Sequence, residues 1–449
     1  MDMPDWPSVT AETIRHLQTL LRMDITNPPG NEMVAAEYLA GVLQREGIEP
    51  LVFESTPGRG NVIARLKGSG RKRPLLIMGH TDDVTVDASK WKFPPFSATR
   101  DGGYVYARGA IDDKDNLTAG LMTLVMLKRL NVPLDRDVIF LAESGEEGNS
   151  SFGIQFMVAQ HFDQIDAEYC FAEGGGVTRI GGEARFATVQ ATEKIPRGIE
   201  LVAHGISGHG SIPLKSNAIV HLASAVAKVG DWRPDIRFNE TTGRYFRGLA
   251  AISPPDVAAR YRDVLSADPK VRAAADDWLV EHEPQHASML RTSVSPNIFA
   301  GGYRSNVIPS EAKATLDVRM LPDEDPARFL EQVTRVVNDP AVDVRFPSQN
   351  TRPPGAAARL DSEPFKAIEA AALRIYNVPT LPTMSTFATD MAQLRAKGMQ
   401  CYGIGPAVDL EDGPKGFGMH SDQERLLEEE LYRFVRFNYE VVLELAREK

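Results

Sequence analysis

The stretch Leu75–Asp82 (LLIMGHTD) joins a short apolar run to a histidine and an aspartate. Two later apolar runs, Val138–Ala142 and Tyr169–Ala172, also lead directly into acidic residues and glycines. Helix-like sequences lie between these runs, for example Asn31–Glu46 and Asn116–Leu130. Helices that alternate with short apolar strands predict an α/β sheet covered by helices on both faces.

The residues that follow the three runs are of types that bind metals or transfer protons. They are His80 with Asp82, the pair Glu146–Glu147, and Glu173. Functional sites of α/β sheets lie at the carboxyl ends of the strands, so these positions are expected to converge. This convergence is the main indication of a site that the residues themselves give.

The middle of the chain has a different pattern from its two ends. Strand and helix candidates alternate there in a way that predicts a small α+β sandwich of ferredoxin-like type. These candidates are Ile199–Ala203, Asn217–Val229, Ala312–Arg319, Ala327–Asn338 and Val342–Phe346.

The proline-rich segment Pro347–Ala358 is interpreted as a linker back to the first pattern. That pattern resumes with a helix near Pro364–Tyr376, a strand near Gln400–Ile404 and a long helix after Asp422. The sequence therefore predicts one α/β domain, residues 1–190 and 353–449, interrupted by an α+β domain, residues 191–352.

Length and composition narrow the class of protein. The chain has 449 residues, enough for two domains or more. Its net charge of −11 disfavours nucleic acid and anionic membranes as partners. The N-terminal segment is not a typical secretory signal and no apolar run is long enough to span a bilayer, so a cytoplasmic protein is expected. The two cysteines, Cys170 and Cys401, are expected to be buried thiols.

Each polar group has a less specific interpretation when it is taken alone. In the unit His80–Asp82, a carboxylate could hold the second ring nitrogen of a metal-bound imidazole, but a surface turn is the commoner explanation. Asp112–Asp113 could bridge two metal ions or cap the next helix. Glu146–Glu147 could supply a ligand and a proton acceptor, or could be a surface acidic pair.

The histidines are also ambiguous. His420 could be a ligand or only part of a capping turn before the last helix, with Ser421 or Asp422 as the N-cap. Six other histidines lie on helix faces or in mixed segments and are interpreted as structural: His16, His161, His204, His221, His282 and His286.

Seven short motifs occur in an order that resembles one known family. They are GHTDDV (Gly79–Val84), ARGAIDDK (Ala107–Lys114), SGEEG (Ser144–Gly148), FAEGG (Phe171–Gly175), SGHGSIP (Ser207–Pro213), NVIP (Asn306–Pro309) and GMHSDQER (Gly418–Arg425). The chain resembles the zinc metallopeptidase family that contains bacterial glutamate carboxypeptidase, aminoacylase-1, acetylornithine deacetylase and succinyl-diaminopimelate desuccinylase. The resemblance implies a zinc-peptidase-like α/β catalytic domain with an inserted α+β ferredoxin-like domain for dimerisation, which also acts as a lid.

The resemblance also implies a cofactor and a ligand set. It implies two zinc ions per chain, with Asp112 bridging both, Asp82 orienting a histidine ligand and Glu146 acting as general base. The implied ligands are His80, Asp112, Glu147, Glu173 and His420. Ligands of nitrogen and oxygen also suit cobalt or manganese, which are substitutes for zinc.

The inserted domain gains three implied substrate-binding residues. His209 resembles a lid histidine that crosses to the partner's active site in a homodimer and stabilises the oxyanion. Asn306 and Arg319 resemble residues that hold the substrate, and the forked guanidinium of Arg319 suits a free carboxylate. Without the resemblance, His209 would be a turn residue and Arg319 a paired residue on a surface strand.

Two features depart from the family's pattern. Asp115 stands where glycine is usual, and it adds negative charge near the implied bridge unless it is the N-cap of the next helix. The segment Trp232–Pro284 makes the lid longer than a minimal one, and we expect it to reshape the substrate entrance.

The expected reaction is hydrolysis of an amide bond beside a free carboxylate, in a small peptide or an N-acyl amino acid. The AEGGG form of one motif slightly favours the aminoacylase and broad carboxypeptidase branches over the desuccinylases. A narrow N-acyl-amino-acid deacylase is the alternative. A non-catalytic binding protein of the same fold is more remote, because every implied ligand and the base are present.

Overall fold

The computed structural model describes residues 4–347 and 352–448, which form two compact units. The first unit consists of Met1–Thr192, Gly355–Thr383 and Thr389–Lys449. The second consists of Glu193–Pro354 and Met384–Ala388. Part of the linker predicted at Pro347–Ala358, residues 348–351, lies outside the described residues.

The first unit begins with alternating helices and strands. In chain order these are α1 (Trp6–Leu21), α2 (Met33–Arg45), β1 (Pro50–Glu54), β2 (Gly60–Leu66), β3 (Leu75–His80), β4 (Thr99–Asp101), β5 (Tyr104–Tyr106), α3 (Lys114–Arg129), β6 (Val138–Glu143), α4 (Ile154–Gln160), α5 (Phe162–Ile165), β7 (Tyr169–Ala172), β8 (Gly176–Ile180) and β9 (Glu183–Glu193).

The second unit contains a four-stranded antiparallel sheet and six helices among its described residues. Its elements are β10 (Ile195–His204), β11 (Gly208–His209), α6 (Ala218–Asp231), α7 (Glu240–Ile252), α8 (Pro255–Val264), α9 (Pro269–His282), α10 (Pro284–Met289), β12 (Ser293–Gly301), β13 (Val307–Ile308), β14 (Glu311–Met320), α11 (Pro326–Val337) and β15 (Val342–Arg345).

The chain then returns to the first unit. The remaining elements are α12 (Glu363–Tyr376), β16 (Thr380–Ser385), α13 (Met391–Ala396), β17 (Gln400–Gly403), β18 (Ala407–Asp409), β19 (Arg425–Leu427) and α14 (Glu428–Ala446).

Among the described residues, ten strands form the large sheet, in the order β1-β2-β6-β3-β7-β17-β9-β8-β18, with β16 paired to β9. The centre is parallel, because β3 pairs in parallel with β6 and β7, and β7 with β17. Leu75 and Ile77 of β3 pack into one apolar core, while Leu76 and Met78 pack into another. Successive side chains point to opposite faces of a strand, so both faces of the sheet are covered. The predicted α/β class is confirmed.

The sheet of the second unit has the order β12-β14-β10-β15. Helices α6 and α11 contribute Leu222 and Phe329 to the same apolar core as Leu316 of β14. The expected α+β layer is therefore present. The mixed sequence between Trp232 and Pro284 folds as helices α7, α8 and α9, with α10 following, which the sequence pattern did not resolve.

The end of the chain differs from one expectation. Neither Ser421 nor Asp422 caps the last helix, because α14 begins at Glu428 with Leu427 at its N-cap. Strand β19 stands between them and pairs with β5. The last residue of β19, Leu427, is therefore followed directly by the first residue of α14. The acidic first turn of α14 suits the positive end of the helix dipole.

Two further expectations concern cysteines and membrane helices. Cys170 and Cys401 are free and buried, as expected, and they lie in register on the neighbouring strands β7 and β17. In the described parts of the chain, every helix is too short or too polar to cross a membrane.

Candidate metal centre

His80 is the last residue of β3 and is 2 % exposed. Its Nδ1 lies 3.1 Å from the carbonyl oxygen of Asp82 and 3.4 Å from the Asp82 carboxylate. Its Nε2 lies 3.0 Å from Oδ1 of Asp112. One ring nitrogen is thus held by residue 82, and the other points at the carboxylate implied as the bridge, which is how outer residues orient a ligand histidine.

Asp82 holds more than this imidazole. It is fully buried, and its carboxylate accepts hydrogen bonds from the Asn27 side-chain amide at 2.8 Å and from the backbone N–H groups of Glu146 and Glu147 at 3.1 Å each. The same carboxylate therefore fixes the backbone of the loop that carries the glutamate pair.

Asp112 stands between two histidines. Its Oδ1 faces His80, and its Oδ2 lies 2.9 Å from Nε2 of His420. Glu147 reaches the same histidine nitrogen, with Oε1 at 2.9 Å. Each oxygen of Asp112 thus serves a different histidine, which is the arrangement that a bridging carboxylate requires.

The structure brings all five implied ligands together in two groups. The ligand atoms of His80, Asp112 and Glu173 lie within 4.8 Å of one another, and so do those of Asp112, Glu147 and His420. Histidine nitrogens and carboxylate oxygens are ordinary ligands of Zn²⁺, and a shared carboxylate suits two ions about 3.5–4 Å apart. The residues present therefore fit a two-metal centre.

Electrostatics support the same conclusion. Burial acts to raise the pKa of Asp112, but the hydrogen bonds with His420 and His80 hold that pKa well below its usual value. The carboxylates Asp112 and Glu147 raise the pKa of His420 to about 10. For Glu173, burial and the neighbouring Asp112 and Glu146 raise the pKa. Carboxylates crowded in this way repel one another, and cations between them relieve the repulsion.

Glu146 adjoins the ligands but belongs to neither ligand group. Its side chain lines a small cavity at the carboxyl ends of β3, β6 and β7, together with Glu143, Glu173 and Asp390. Its backbone is held by Asp82, as described above. Glu146 thus lines the same cavity as the ligands His80 and Glu173 without belonging to either ligand group.

Glycines at two positions are required by the geometry. Gly174, directly after Glu173, has φ +109°, and a Cβ there would lie 1.9 Å from the side-chain oxygen of Gln190. Gly109 has φ +84°, and a Cβ there would lie 2.3 Å from Asp83. These close approaches explain the glycines of the FAEGG and ARGAIDDK motifs.

Sequence reasoning assigned no supporting role at the centre to several residues that the structure places beside it. Lys114 is fully buried at the start of α3 and forms an ion pair with the buried Asp83. Asp113 accepts hydrogen bonds from the backbone N–H of His80 at 3.1 Å and from Asn116 at 2.6 Å. Asp83 lies in the motif GHTDDV, and Asp113 and Lys114 lie in ARGAIDDK. Their membership of these motifs is a sequence signal that could have identified them. Asn27 lies outside every motif, and nothing in the sequence pointed to it.

The suggestion that Asp115 caps the following helix is wrong. The N-cap position belongs to Asp113, and Asp115 lies in the first turn of α3. Asp115 is fully buried. Burial and the nearby Asp113 raise its pKa well above the usual value. The backbone N–H groups of Asn116 and of Asp115 itself offset this rise only in part.

The three implied substrate-binding residues lie in the second unit. His209 on β11 pairs with Val307, and its Nδ1 lies 2.7 Å from the Ser211 hydroxyl. The carbonyl oxygen of Asn306 accepts from the N–H of Gly210 at 2.8 Å, so Asn306 and His209 are neighbours. Arg319 lies on β14, where its Nε donates to Asp317 at 2.8 Å.

The six histidines interpreted as structural belong to neither ligand group. Two of them show what they do instead. His16 contacts the Tyr38 hydroxyl at 2.7 Å, and His286 contacts Glu283 and Tyr245 at 2.5 and 3.0 Å. Such partners satisfy a histidine without a metal.

Comparisons with known proteins agree with the geometry. Residues 76–444 match the family described as Peptidase family M20/M25/M40. The chain is 28% identical to the probable carboxypeptidase S-like 2 of Dictyostelium discoideum over 387 residues, which cover 82% of this chain and 71% of that protein. It is 25% identical to aminoacylase-1 of Mus musculus over 404 residues, covering 89% and 87%.

A solved structure shows the same fold. The M20 family metallo-carboxypeptidase Sso-CP2 from Sulfolobus solfataricus superposes with a TM-score of 0.70 at 20% identity, covering 96% of this chain and 98% of that one. Because the family match spans most of the chain, and relatives of both the carboxypeptidase and aminoacylase kinds align over most of it, the chain belongs to Peptidase family M20/M25/M40 and is a hydrolase.

Proposed function

We propose that the protein is a di-zinc hydrolase that cleaves an amide bond next to a free carboxylate, in a small peptide or an N-acyl amino acid. The observation that carries this proposal is the pair of ligand groups that share Asp112, with Glu146 beside them and in neither. Relatives named as a carboxypeptidase and as an aminoacylase support the substrate class.

Five residues would hold the two metal ions: His80, Asp112, Glu147, Glu173 and His420. Bound metal ions would polarise the amide carbonyl and make a water molecule more acidic. The proposal of two zinc ions is tested by metal analysis of protein purified without chelators, with cobalt and manganese added back separately. Two equivalents of metal per chain are expected.

Glu146 is proposed as the proton carrier. Its carboxylate takes a proton from water as the water oxygen bonds to the carbonyl carbon, and returns that proton to the nitrogen as the C–N bond breaks. The products are a carboxylic acid and an amine, and the acid then loses its proton to solvent or to the amine. The bonds from the Glu146 and Glu147 N–H groups to Asp82 hold this loop in place during both transfers.

The substrate's carboxylate is proposed to bind Arg319, with Asn306 and His209 completing the substrate site. Arg319 already donates to Asp317 through Nε and Nη2, at 2.8 and 3.2 Å. A substrate carboxylate therefore has to use Nη1 or displace Asp317. Arg319→Ala should raise KM much more than it lowers kcat, and an unchanged KM would argue against this assignment.

The substrate class is tested with a matched panel. Dipeptides and N-acetyl, long-chain N-acyl and N-succinyl amino acids are each compared with the same compound carrying a neutral amide in place of the free carboxylate. Hydrolysis of the free acids only is expected. Equal hydrolysis of the blocked compounds would remove the carboxylate requirement from the proposal.

The alternative, a narrow N-acyl-amino-acid deacylase, also fits the relatives but is not better supported, because aminoacylase-1 is 25% identical to this chain and the carboxypeptidase-like relative 28%. Aminoacylase-1 of Mus musculus aligns over 89% of this chain, more than the 82% for the carboxypeptidase-like relative. The same panel separates the two, since a deacylase would leave the dipeptides intact.

A homodimer is proposed through the second unit. Strand β12 is an edge of its sheet and exposes Ile298 and Phe299, at 60 and 48 %. An exposed apolar edge strand is suited to pairing with a second copy. Phe299→Asp should convert a dimer to a monomer in sedimentation analysis, and a wild-type monomer would contradict the proposal.

A cytoplasmic location is also proposed. The buried thiols Cys170 and Cys401 lie in register on adjacent strands and remain unlinked, which suits a reducing compartment. Cell fractionation tests it directly, and recovery from an oxidising compartment would contradict it.

A further inference from the structure

Two loops must be held together for the second ligand group to exist. One loop carries Asp112 and follows Tyr106, and the other carries His420 and precedes β19. His420 has φ +60°, an unusual value for a residue with a side chain, and its side chain is 50 % exposed. Packing of His420 itself therefore does little to fix its position.

Glu424 connects the two loops. It is fully buried, and its Oε1 accepts a hydrogen bond from the backbone N–H of Ile111, the residue before Asp112, at 2.9 Å. Its Oε2 accepts from Nη1 of Arg108 at 2.7 Å. Its own carbonyl oxygen accepts from the N–H of Ala107 at 3.1 Å. One residue of the His420 loop thus binds the Asp112 loop at three points.

Arg108 is the second half of this connection. It is 2 % exposed, its guanidinium lies 5.4 Å from the ring centre of Trp91, and its backbone N–H donates to the carbonyl oxygen of Pro95 at 2.9 Å. The ion pair is therefore enclosed and anchored to a third segment. A buried and hydrogen-bonded pair of this kind has a fixed geometry.

We propose that Glu424 and Arg108 are positioning residues that set the separation of Asp112 and His420. That separation in turn sets the metal affinity of the position formed by Asp112, Glu147 and His420. Neither residue touches that position. This inference rests on the proposed two-metal centre, because it predicts a loss of affinity at one of the two metal positions and little change at the other.

The first step of the test is the wild-type protein. Zinc is titrated into chelator-treated enzyme, and two binding steps per chain are expected. A total of fewer than two zinc ions bound per chain would contradict the proposed two-metal centre itself, before any variant is considered.

The variants then test the inference separately. Glu424→Leu with Arg108→Met removes both charges together, so that no unpaired charge stays buried. Loss of residues that orient a ligand typically costs about 10–100-fold in metal affinity. We expect a weakening of this size for the zinc held by Asp112, Glu147 and His420, which we expect to be the weaker one, and less than about a threefold change for the other zinc. Glu424→Gln combined with Arg108→Met keeps an acceptor for the N–H of Ile111, also leaves no unpaired buried charge, and should recover part of the affinity.

Arg136→Met is the matched control for general damage. Arg136 is 1 % exposed and pairs with Glu168 and Glu363, near the amino-terminal end of β6 and so away from the ligands. It should lower the melting temperature and leave both zinc affinities unchanged. Wild-type affinity for both ions in the double variant, or an equal loss at both positions, would overturn the positioning of one metal by Glu424 and Arg108.

Discussion

The two groups of ligands share Asp112 but are held by different parts of the fold. His80 and Glu173 directly end or follow parallel strands of the large sheet, and the His80 side chain is 2 % exposed. Glu147 and His420 lie on loops, and the His420 side chain is 50 % exposed. The first group is therefore fixed by the core, whereas the second depends on hydrogen bonds between loops. This contrast predicts that the second metal is the easier one to remove.

The largest effect should come from the shared residue. Asp112→Ala removes an oxygen from each ligand group, so both metals should be lost and activity should fall by more than about 100-fold. Metal content per chain, measured after gel filtration, checks this. Retention of one full equivalent would mean that Asp112 serves one position only.

His80→Ala should rank second. It removes a buried ligand and takes one partner each from Asp82, which keeps its bonds from Asn27 and the loop N–H groups, and from Asp112, which keeps His420. Loss of a buried hydrogen bond to a charged group costs about 1.5–3 kcal/mol. The variant should lose the more tightly bound metal, and its metal-free form should have a lower free energy of unfolding than the metal-free wild type. Urea unfolding of the metal-free form and metal analysis measure the two effects separately.

His420→Ala should affect metal binding without the same loss of stability. The side chain is half exposed, so the free energy of unfolding of the metal-free protein should fall less than it does for His80→Ala, although the ion pairs of His420 with Asp112 and Glu147 are lost. One metal equivalent should remain, and activity should be largely lost. A stability loss as large as that of His80→Ala would erase the contrast between the two groups.

Asp412→Asn should have the smallest effect on activity. Asp412 pairs with Arg425, two residues whose side chains are 11 and 16 % exposed, but the Arg425 guanidinium also lies 3.9 Å from the ring centres of Tyr104 and Phe417. The pair is bidentate and mostly buried, so the free energy of unfolding should fall by up to about 3–5 kcal/mol. The ring contacts remain, so activity should change least among these variants. Steady-state kinetics with both metals saturating measure this.

The same contrast separates what the sequence predicted from what it did not. His80, Glu146, Glu147 and Glu173 follow apolar strands, so periodicity and the position of strand ends were enough to place them in one region. Asp112 and His420 lie on loops, and only the order of the seven motifs indicated them. Loop positions depend on contacts distant in sequence, and no local pattern records those contacts.

The residues that could not be anticipated are those that act through such distant contacts. Asn27 reaches Asp82 across 55 positions, and Glu424 reaches Ile111 across 313. The helices α7 to α9 were also missed, because the charges between Trp232 and Pro284 obscure the apolar spacing. Asp115 was misjudged because a first-turn acid and an N-cap acid share the same sequence context.

The contacts of Asp82 have a thermodynamic consequence. The Asp82 carboxylate holds both the His80 imidazole and the backbone of the Glu146–Glu147 loop. Binding of an ion to His80, Asp112 and Glu173 is therefore coupled to the ordering of that loop by a single free energy. Such coupling is reciprocal. Suppose that an ion at His80 orders the Glu146–Glu147 loop and so increases the affinity for substrate by some factor. Bound substrate must then increase the affinity for that ion by the same factor, through slower release of the ion or faster binding.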